Sequence, residues 1–124
     1  MLCDGGSRGN PGTAAAAAVL VGLDGSIVRS RAELIGHASA AEAEYRAILL
    51  GLSLARGCQA VEVRCDSQLA VAALRSATPV ADELAEVVEA VRAAAGEFSS
   101  VRFVWHPRGE NELADALVRE LLWP

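Results

Sequence analysis

Residues 4–12 read DGGSRGNPG and residues 14–22 read AAAAAVLVG, and the fold turns on what joins them. The glycines Gly6, Gly9 and Gly12 fit a phosphate cradle, a run of turns, or a collar around Asp4. A dinucleotide fingerprint or a P-loop needs a helix directly after its glycines, so that the helix N-terminus faces the phosphate. A run of small and β-branched residues follows instead. The G-x-x-G-x-x-G spacing is not the Rossmann spacing, and no GK[ST] ending is present. The phosphate reading therefore fails on spacing and on context. Gly9, Pro11 and Gly12 read as a tight turn into a second strand.

Residues 14–21 and 27–34 read as strands joined by Leu23-Asp24-Gly25-Ser26, since Asp-Gly is a strong hairpin signal. With Met1 to Ser7 ahead of them they predict a three-strand antiparallel meander. Asp4 then lies in the first strand or at its end. Ser39 reads as the N-cap of a helix through Gly57, with Tyr45, Ile48, Leu49, Leu52 and Ala55 at helical spacing. VEVRC (61–65) is a short strand, and DSQLAVAALRS (66–76) a helix with Asp66 and Ser67 at its start. Residues 80–95 predict a second amphipathic helix, with Leu84, Val87, Val88 and Val91 in register. VRFVWH (101–106) is the fifth strand, PRGEN a loop, and ELADALVRELLW (112–123) the last helix. The order is βββαβααβα: an α/β fold with one five-stranded mixed sheet, three antiparallel strands then two parallel, flanked by helices.

The chain has 124 residues, 52% of them hydrophobic, which suits one domain (1–124) with a single core. No stretch reaches the roughly 18 apolar residues of a membrane span, and no charged segment followed by an apolar core opens the chain. Three cysteines, without metal-site spacing, point to a reducing cytoplasm rather than a disulfide framework. Cys3 and Cys65 read as small buried hydrophobes. All 11 basic residues are Arg against 16 acids, for a net charge of −5. No global basic field advertises nucleic acid, although bound cations can invert the local sign. Any association with nucleic acid is expected to be transient and salt-sensitive.

Four acids fall on elements that can converge. MLC-D and VEVRC-D carry Asp4 and Asp66 at equivalent positions if their strands are parallel neighbours. Glu44 shares the apolar side of its helix with Ile48 and Leu52, while Glu42 points out. Asp115 lies at the margin of the last helix's buried face. Carboxylates a few ångströms apart cannot all stay ionised without compensation, and hard oxygen ligands suit Mg²⁺ or Mn²⁺. Two such ions about 4 Å apart form the clamp used in phosphodiester hydrolysis. A plainer alternative stands beside this one: Asp66 caps its helix, and Asp115 pairs with Arg119 at i+4.

DGGSRGNPG, AEYRAILLGL, DSQLAV and PRGENELADAL occur in an order and spacing that resemble the type 1 ribonuclease H family across essentially the whole chain. The likeness is to the compact prokaryotic branch, without a basic protrusion: the stretch 76–82 leaves little room for one, and no hybrid-binding domain precedes Met1. The resemblance implies a metal-dependent endoribonuclease that hydrolyses the RNA strand of RNA–DNA hybrids and leaves 5′-phosphate and 3′-hydroxyl ends. It implies an acidic tetrad of Asp4, Glu44, Asp66 and Asp115. Asp4 would bridge two Mg²⁺ ions, Glu44 and Asp66 would hold one, and Asp115 the other, with Mn²⁺ as substitute. Gly5, Gly6, Ser7, Arg8, Asn10, Ser67 and Gln68 match substrate-contacting positions, the glycines letting backbone lie close to the hybrid.

The chain departs from the family pattern in three places. A Thr-Asn-Asn stretch before the helical Glu is here Ser39, Ala40 and Ala41, which removes two side-chain hydrogen bonds to substrate. A mobile His ten residues before the last Asp is here Trp105; its neighbour His106 is the candidate for the same role, against a structural duty. Trp105 shares a strand face with Val101 and Phe103 and is expected in the core. The first strand has only three residues before Asp4, so either it is clipped or the natural chain begins earlier. Two alternatives to the hybrid nuclease follow. One is a nuclease acting also on double-stranded RNA, and the other a non-catalytic nucleic-acid-binding module, for which the intact tetrad speaks poorly. No membrane partner is expected, and a monomer is.

Overall fold

A computed structural model describes residues 1–76 and 78–124. The elements in chain order are β1 (Leu2–Arg8), β2 (Gly12–Val21), β3 (Ile27–Ala38), α1 (Ala40–Leu54), β4 (Ala60–Cys65), α2 (Gln68–Ser76), α3 (Asp82–Ala95), β5 (Ser100–Trp105), a 3₁₀ turn at Arg108–Glu110, and α4 (Glu112–Leu122). The sheet runs β3-β2-β1-β4-β5. The first three strands pair antiparallel, and β1–β4 and β4–β5 pair parallel, as the sequence pattern predicts. The stretch 76–82, read as too short for a protrusion, includes position 77, which lies outside the described residues.

Local chemistry sets most boundaries. Between β2 and β3, Gly22 N–H donates to Ser26 O at 2.8 Å, and Asp24 Oδ1 accepts from the Ser26 amide at 3.0 Å and hydroxyl at 2.7 Å. Ser39 caps α1 as expected, its hydroxyl accepting from Glu42 N at 3.0 Å. The helix ends at Leu54 rather than Gly57, because residues 55–57 turn early: Cys58 N–H bonds Ala55 O at 2.9 Å. Helix α2 begins at Gln68 rather than Asp66, since Ser67 Oγ accepts from Ala70 N at 3.2 Å. Ser67, not Asp66, is the cap. β3 outruns its expected end at residue 34 by four residues. Gly12, Thr13 and Ala14 need partners, and a register shift between Ala14 and Ala15 lets Ala38, His37 and Gly36 supply them. β1 runs Leu2–Arg8 and continues four residues past Asp4.

Ala14 to Ala18 are all essentially buried, and alternation sends them to opposite faces of the sheet. Ala16 and Ala18 join Cys3, Tyr45, Ile48, Leu52, Val63, Cys65, Val88 and Val91 in the larger core under α1 and α3. Ala15 and Ala17 meet Val118 and Leu122 of α4 on the other side. Burial pushes the Cys65 thiol up to about 11 and raises the Cys3 thiol as well, so both behave as the expected hydrophobes. Two close approaches fix α1 against β1. A Cβ on Gly5 would fall 2.1 Å from Ala43 O and 2.7 Å from Glu44 N, and one on Gly51 would fall 2.6 Å from Met1 Sδ. The first, against backbone, only glycine permits, and it delivers Glu44 to the strand that carries Asp4.

Candidate active site

Asp4 is 5% exposed in the middle of β1. The pair Leu2↔Arg64 puts Asp4 level with Asp66, each two residues further on, in the bend that follows β4. Glu44 arrives from the first turns of α1. One carboxylate oxygen from each of Asp4, Glu44 and Asp66 lies within 4.8 Å of the others. Glu44 Oε2 and Asp66 Oδ2 are buried without a hydrogen-bond partner. The Arg108 Nε stands 3.6 Å from Asp66 Oδ2, close enough for an ion pair and too long for a hydrogen bond.

Electrostatics follow from this crowding. Burial, then the neighbouring Asp66 and Asp115, push Asp4 up to about 7. Burial, then Asp4 and Asp66, push Glu44 up to about 9, against a Gly5 backbone hydrogen bond and Arg108 that favour its charged form. Carboxyls that hold protons near neutrality mark negative charge lacking compensation. An all-oxygen carboxylate set with orphaned buried oxygens fits a hard divalent cation and does not fit a soft-metal site.

Asp115 lies outside this trio. It stands beside Asp4, raising that group's pKa by its charge and by a side-chain hydrogen bond, while its Oδ2 meets Arg119 Nε at 3.1 Å. The i+4 pairing weighed from sequence is therefore present together with the proximity to Asp4. Glu42 points away and pairs with Arg46 at 3.6 Å.

The other sequence-derived positions are spread around this centre. Gly5 is buried, and its lack of a side chain answers to the α1 backbone inside the protein rather than to a ligand outside. Gly6 faces Val118 and Leu122. The Ser7 hydroxyl is spent on Gly9 O. Arg8 Nη1 donates to Leu122 O at 3.0 Å, and Asn10 Oδ1 accepts from Ala40 N at 3.0 Å, so both also tie neighbouring elements together. Gln68 is exposed, and Ser67 is half-buried at its cap. His106 is buried, its backbone N–H on Cys65 O at 3.1 Å, and its Nε2 has no partner.

Trp105 corrects the expectation of a core residue. It is 42% exposed at the end of β5, and its Nε1 donates to Asp66 O at 3.2 Å. Strand alternation placed it with Val101 and Phe103, but β5 ends there, and the ring turns toward β4. Sequence reasoning also passed over Arg108 and Asn111. Asn111 is fully buried, with Nδ2 donating to Cys3 O at 2.8 Å. The available signal was their place in PRGEN, between β5 and the helix of Asp115.

The sheet order, the helices on both faces and the acids at the β1–β4 junction define an RNase H-like domain. The chain belongs to the reverse transcriptase-like family, whose profile matches residues 2–121. It is 40% identical over 122 residues to Ribonuclease HI of Halobacterium salinarum, covering 96% of this chain and 61% of that protein. The chain thus spans about three fifths of that relative's length. The crystal structure of RNase H1 from that archaeon superposes with a TM-score of 0.92 over 97% of this chain and 93% of the other. The N-terminal RNase H domain of Rv2228c from Mycobacterium tuberculosis gives a TM-score of 0.93 at 34% identity, covering 98% of this chain and 90% of that one. LC11-RNase H1 in complex with an RNA/DNA hybrid gives 0.89 at 31% identity, over 97% and 93%. The resemblance first seen in the sequence motifs holds at the level of family and fold.

Proposed function

We propose that residues 1–124 act as one ribonuclease H domain that hydrolyses the RNA strand of RNA–DNA hybrids, using Mg²⁺ with Mn²⁺ as substitute. The observation that carries this reading is the trio Asp4, Glu44 and Asp66, with two buried oxygens that no donor hydrogen-bonds and two carboxyls pushed toward or above neutrality. The hybrid complex of the 31%-identical relative supports the substrate. Asp4, Glu44 and Asp66 would hold one ion, and Asp4 with Asp115 a second. Two such ions would supply a water nucleophile at neutral pH and would offset charge on the attacking and leaving oxygens.

The protein's own groups do the rest. Glu44 is held on the cluster by the α1 backbone lying against Gly5. Arg108, 82% exposed along its side chain at the rim of the acids, places a guanidinium where a phosphate would approach. Gly6, Ser7, Arg8, Asn10, Ser67 and Gln68 border the same end of β1 and the start of α2 and would meet the hybrid's backbone and 2′-hydroxyls. His106 remains the candidate for product release. The cleaved RNA carries 5′-phosphate and 3′-hydroxyl ends. We further propose a cytoplasmic monomer, consistent with three free cysteines; among the described residues no helix is long and apolar enough to cross a membrane.

The test is cleavage of end-labelled RNA–DNA, RNA–RNA and DNA–DNA duplexes with Mg²⁺, Mn²⁺ or EDTA, for wild type and Asp66→Asn. Metal-dependent cutting of the hybrid's RNA strand, lost in Asp66→Asn, is the expected result. Comparable cutting of RNA–RNA would widen the substrate range and point to Ala40 and Ala41. An uncut hybrid, or an Asp66→Asn variant cutting at the wild-type rate, would overturn the reading.

A further inference from the structure

The β1–β4 ladder stops at the level of Asp4 and Asp66, and side chains from elsewhere claim the atoms of its next rung. Arg64 N–H donates to Met1 O at 2.8 Å, at the pair Leu2↔Arg64. In a regular parallel ladder the following bonds would join Asp66 N–H to Cys3 O and Gly5 N–H to Asp66 O. Both acceptors among those four atoms are engaged otherwise. Cys3 O accepts from Asn111 Nδ2 at 2.8 Å, and Asp66 O accepts from Trp105 Nε1 at 3.2 Å.

We propose that Asn111 and Trp105 are positioning residues that keep β1 and β4 unzipped where Asp4 and Asp66 project, so that the two carboxylates remain separate ligands. The inference rests on the reading of Asp4, Glu44 and Asp66 as holders of divalent cations. Both residues are chemically suited to the task. The indole offers a donor and no acceptor, so it can satisfy a carbonyl without competing for cations. The Asn111 amide is neutral, whereas an Asp there would lose the donor and add charge beside acids already short of compensation. Asn111 also reaches the rest of the site through its backbone. Its N–H donates to Arg108 O at 2.9 Å, and its carbonyl accepts from Asp115 N at 3.0 Å. One fully buried residue thus sets β1, the Arg108 turn and the first turn of α4 against one another.

The experiment compares wild type with Asn111→Ala, Trp105→Phe and Val118→Ala. Amide hydrogen exchange is followed in EDTA, and MnCl₂ binding by calorimetry. Val118 is buried under Gly6 and serves as a packing control. Asn111→Ala frees Cys3 O to take the Asp66 amide, so exchange at Asp66 should slow several-fold while the rest of the sheet exchanges faster. Outer-shell partners typically govern metal affinity by 10- to 100-fold, so Mn²⁺ binding should weaken about tenfold or more in Asn111→Ala and Trp105→Phe. Val118→Ala should lower the melting temperature and leave Mn²⁺ affinity unchanged. Faster exchange at Asp66 in Asn111→Ala, or wild-type Mn²⁺ affinity in both variants, would overturn the proposal. Absence of Mn²⁺ binding in wild type would instead overturn the functional reading, and the exchange result would still judge the ladder. Should Asn111→Ala fail to fold, Trp105→Phe removes the N–H donor, keeps an aromatic side chain, and decides the matter by its Mn²⁺ affinity.

Discussion

Glu44→Gln should make the metal-free protein more stable at neutral pH while removing the proposed hydrolysis of hybrid RNA. The wild-type carboxyl is pushed from 4.5 to about 9 in the folded chain, so at about pH 7.5 folding has to take up a proton that the unfolded chain has released. About three pH units separate that condition from the unfolded value, and at about 1.4 kcal/mol per unit the cost to wild type is at most about 4 kcal/mol. Glutamine avoids it, but leaves part of a buried amide unpaired at a cost of about 1–3 kcal/mol. A net gain of about 1–3 kcal/mol corresponds to a melting temperature about 4–12 °C higher in a domain of this size. The direction of the pH dependence is fixed. A raised folded pKa stabilises below the unfolded value and is lost as pH climbs toward about 9, so the variant's advantage should be gone by about pH 4, where only its amide cost remains. Asp4, raised to about 7, adds a second proton uptake over the lower part of that window. Melting curves in EDTA at both pH values, repeated with millimolar Mn²⁺, provide the assay. Mn²⁺ should raise the wild-type transition far more than that of the variant. A variant no more stable than wild type near neutrality, or one still more stable than wild type in acid, would refute the argument from crowded carboxylates.

Gly5→Ala should cost about 3 kcal/mol or more, read by urea denaturation, because the added methyl would meet the backbone of α1 at Ala43 and Glu44. Ser39→Ala should cost about 1 kcal/mol in the same assay, since the Glu42 amide loses its cap. Ala41→Asn places a donor on an exposed position of the first turn of α1 and should lower KM for the hybrid about two- to tenfold. Its Mn²⁺ affinity should stay at the wild-type value.

Much of this architecture could be read from local chemistry alone. Ser39, the Asp24-Gly25 hairpin and the matched MLC-D and VEVRC-D ends are short-range signals, and the structure honours each. The trio of acids was legible for the same reason, since strand and helix periods put Asp4, Asp66 and Glu44 on faces that a five-stranded sheet brings together. What stayed hidden depends on partners distant in the chain. Residues 35–38 extend β3 because Gly12 to Ala14 need partners. Trp105 leaves the core because Asp66 O lies within reach, and Asn111 matters through a carbonyl 108 residues away. Arg108 gains its meaning only from the carboxylates it faces. No periodicity encodes such meetings.

The alanine run of β2 acts as a thickness gauge. With Ala16 and Ala18 under the helix that carries Glu44, and Ala15 and Ala17 under the helix that carries Asp115, a single strand sets how far apart two opposite layers stand. One methyl per position is the least that a non-glycine strand can interpose. Enlarging any of these side chains would jack one layer away from the sheet and carry an acid with it, so the strand that contributes no acid of its own sets the spacing of those that do.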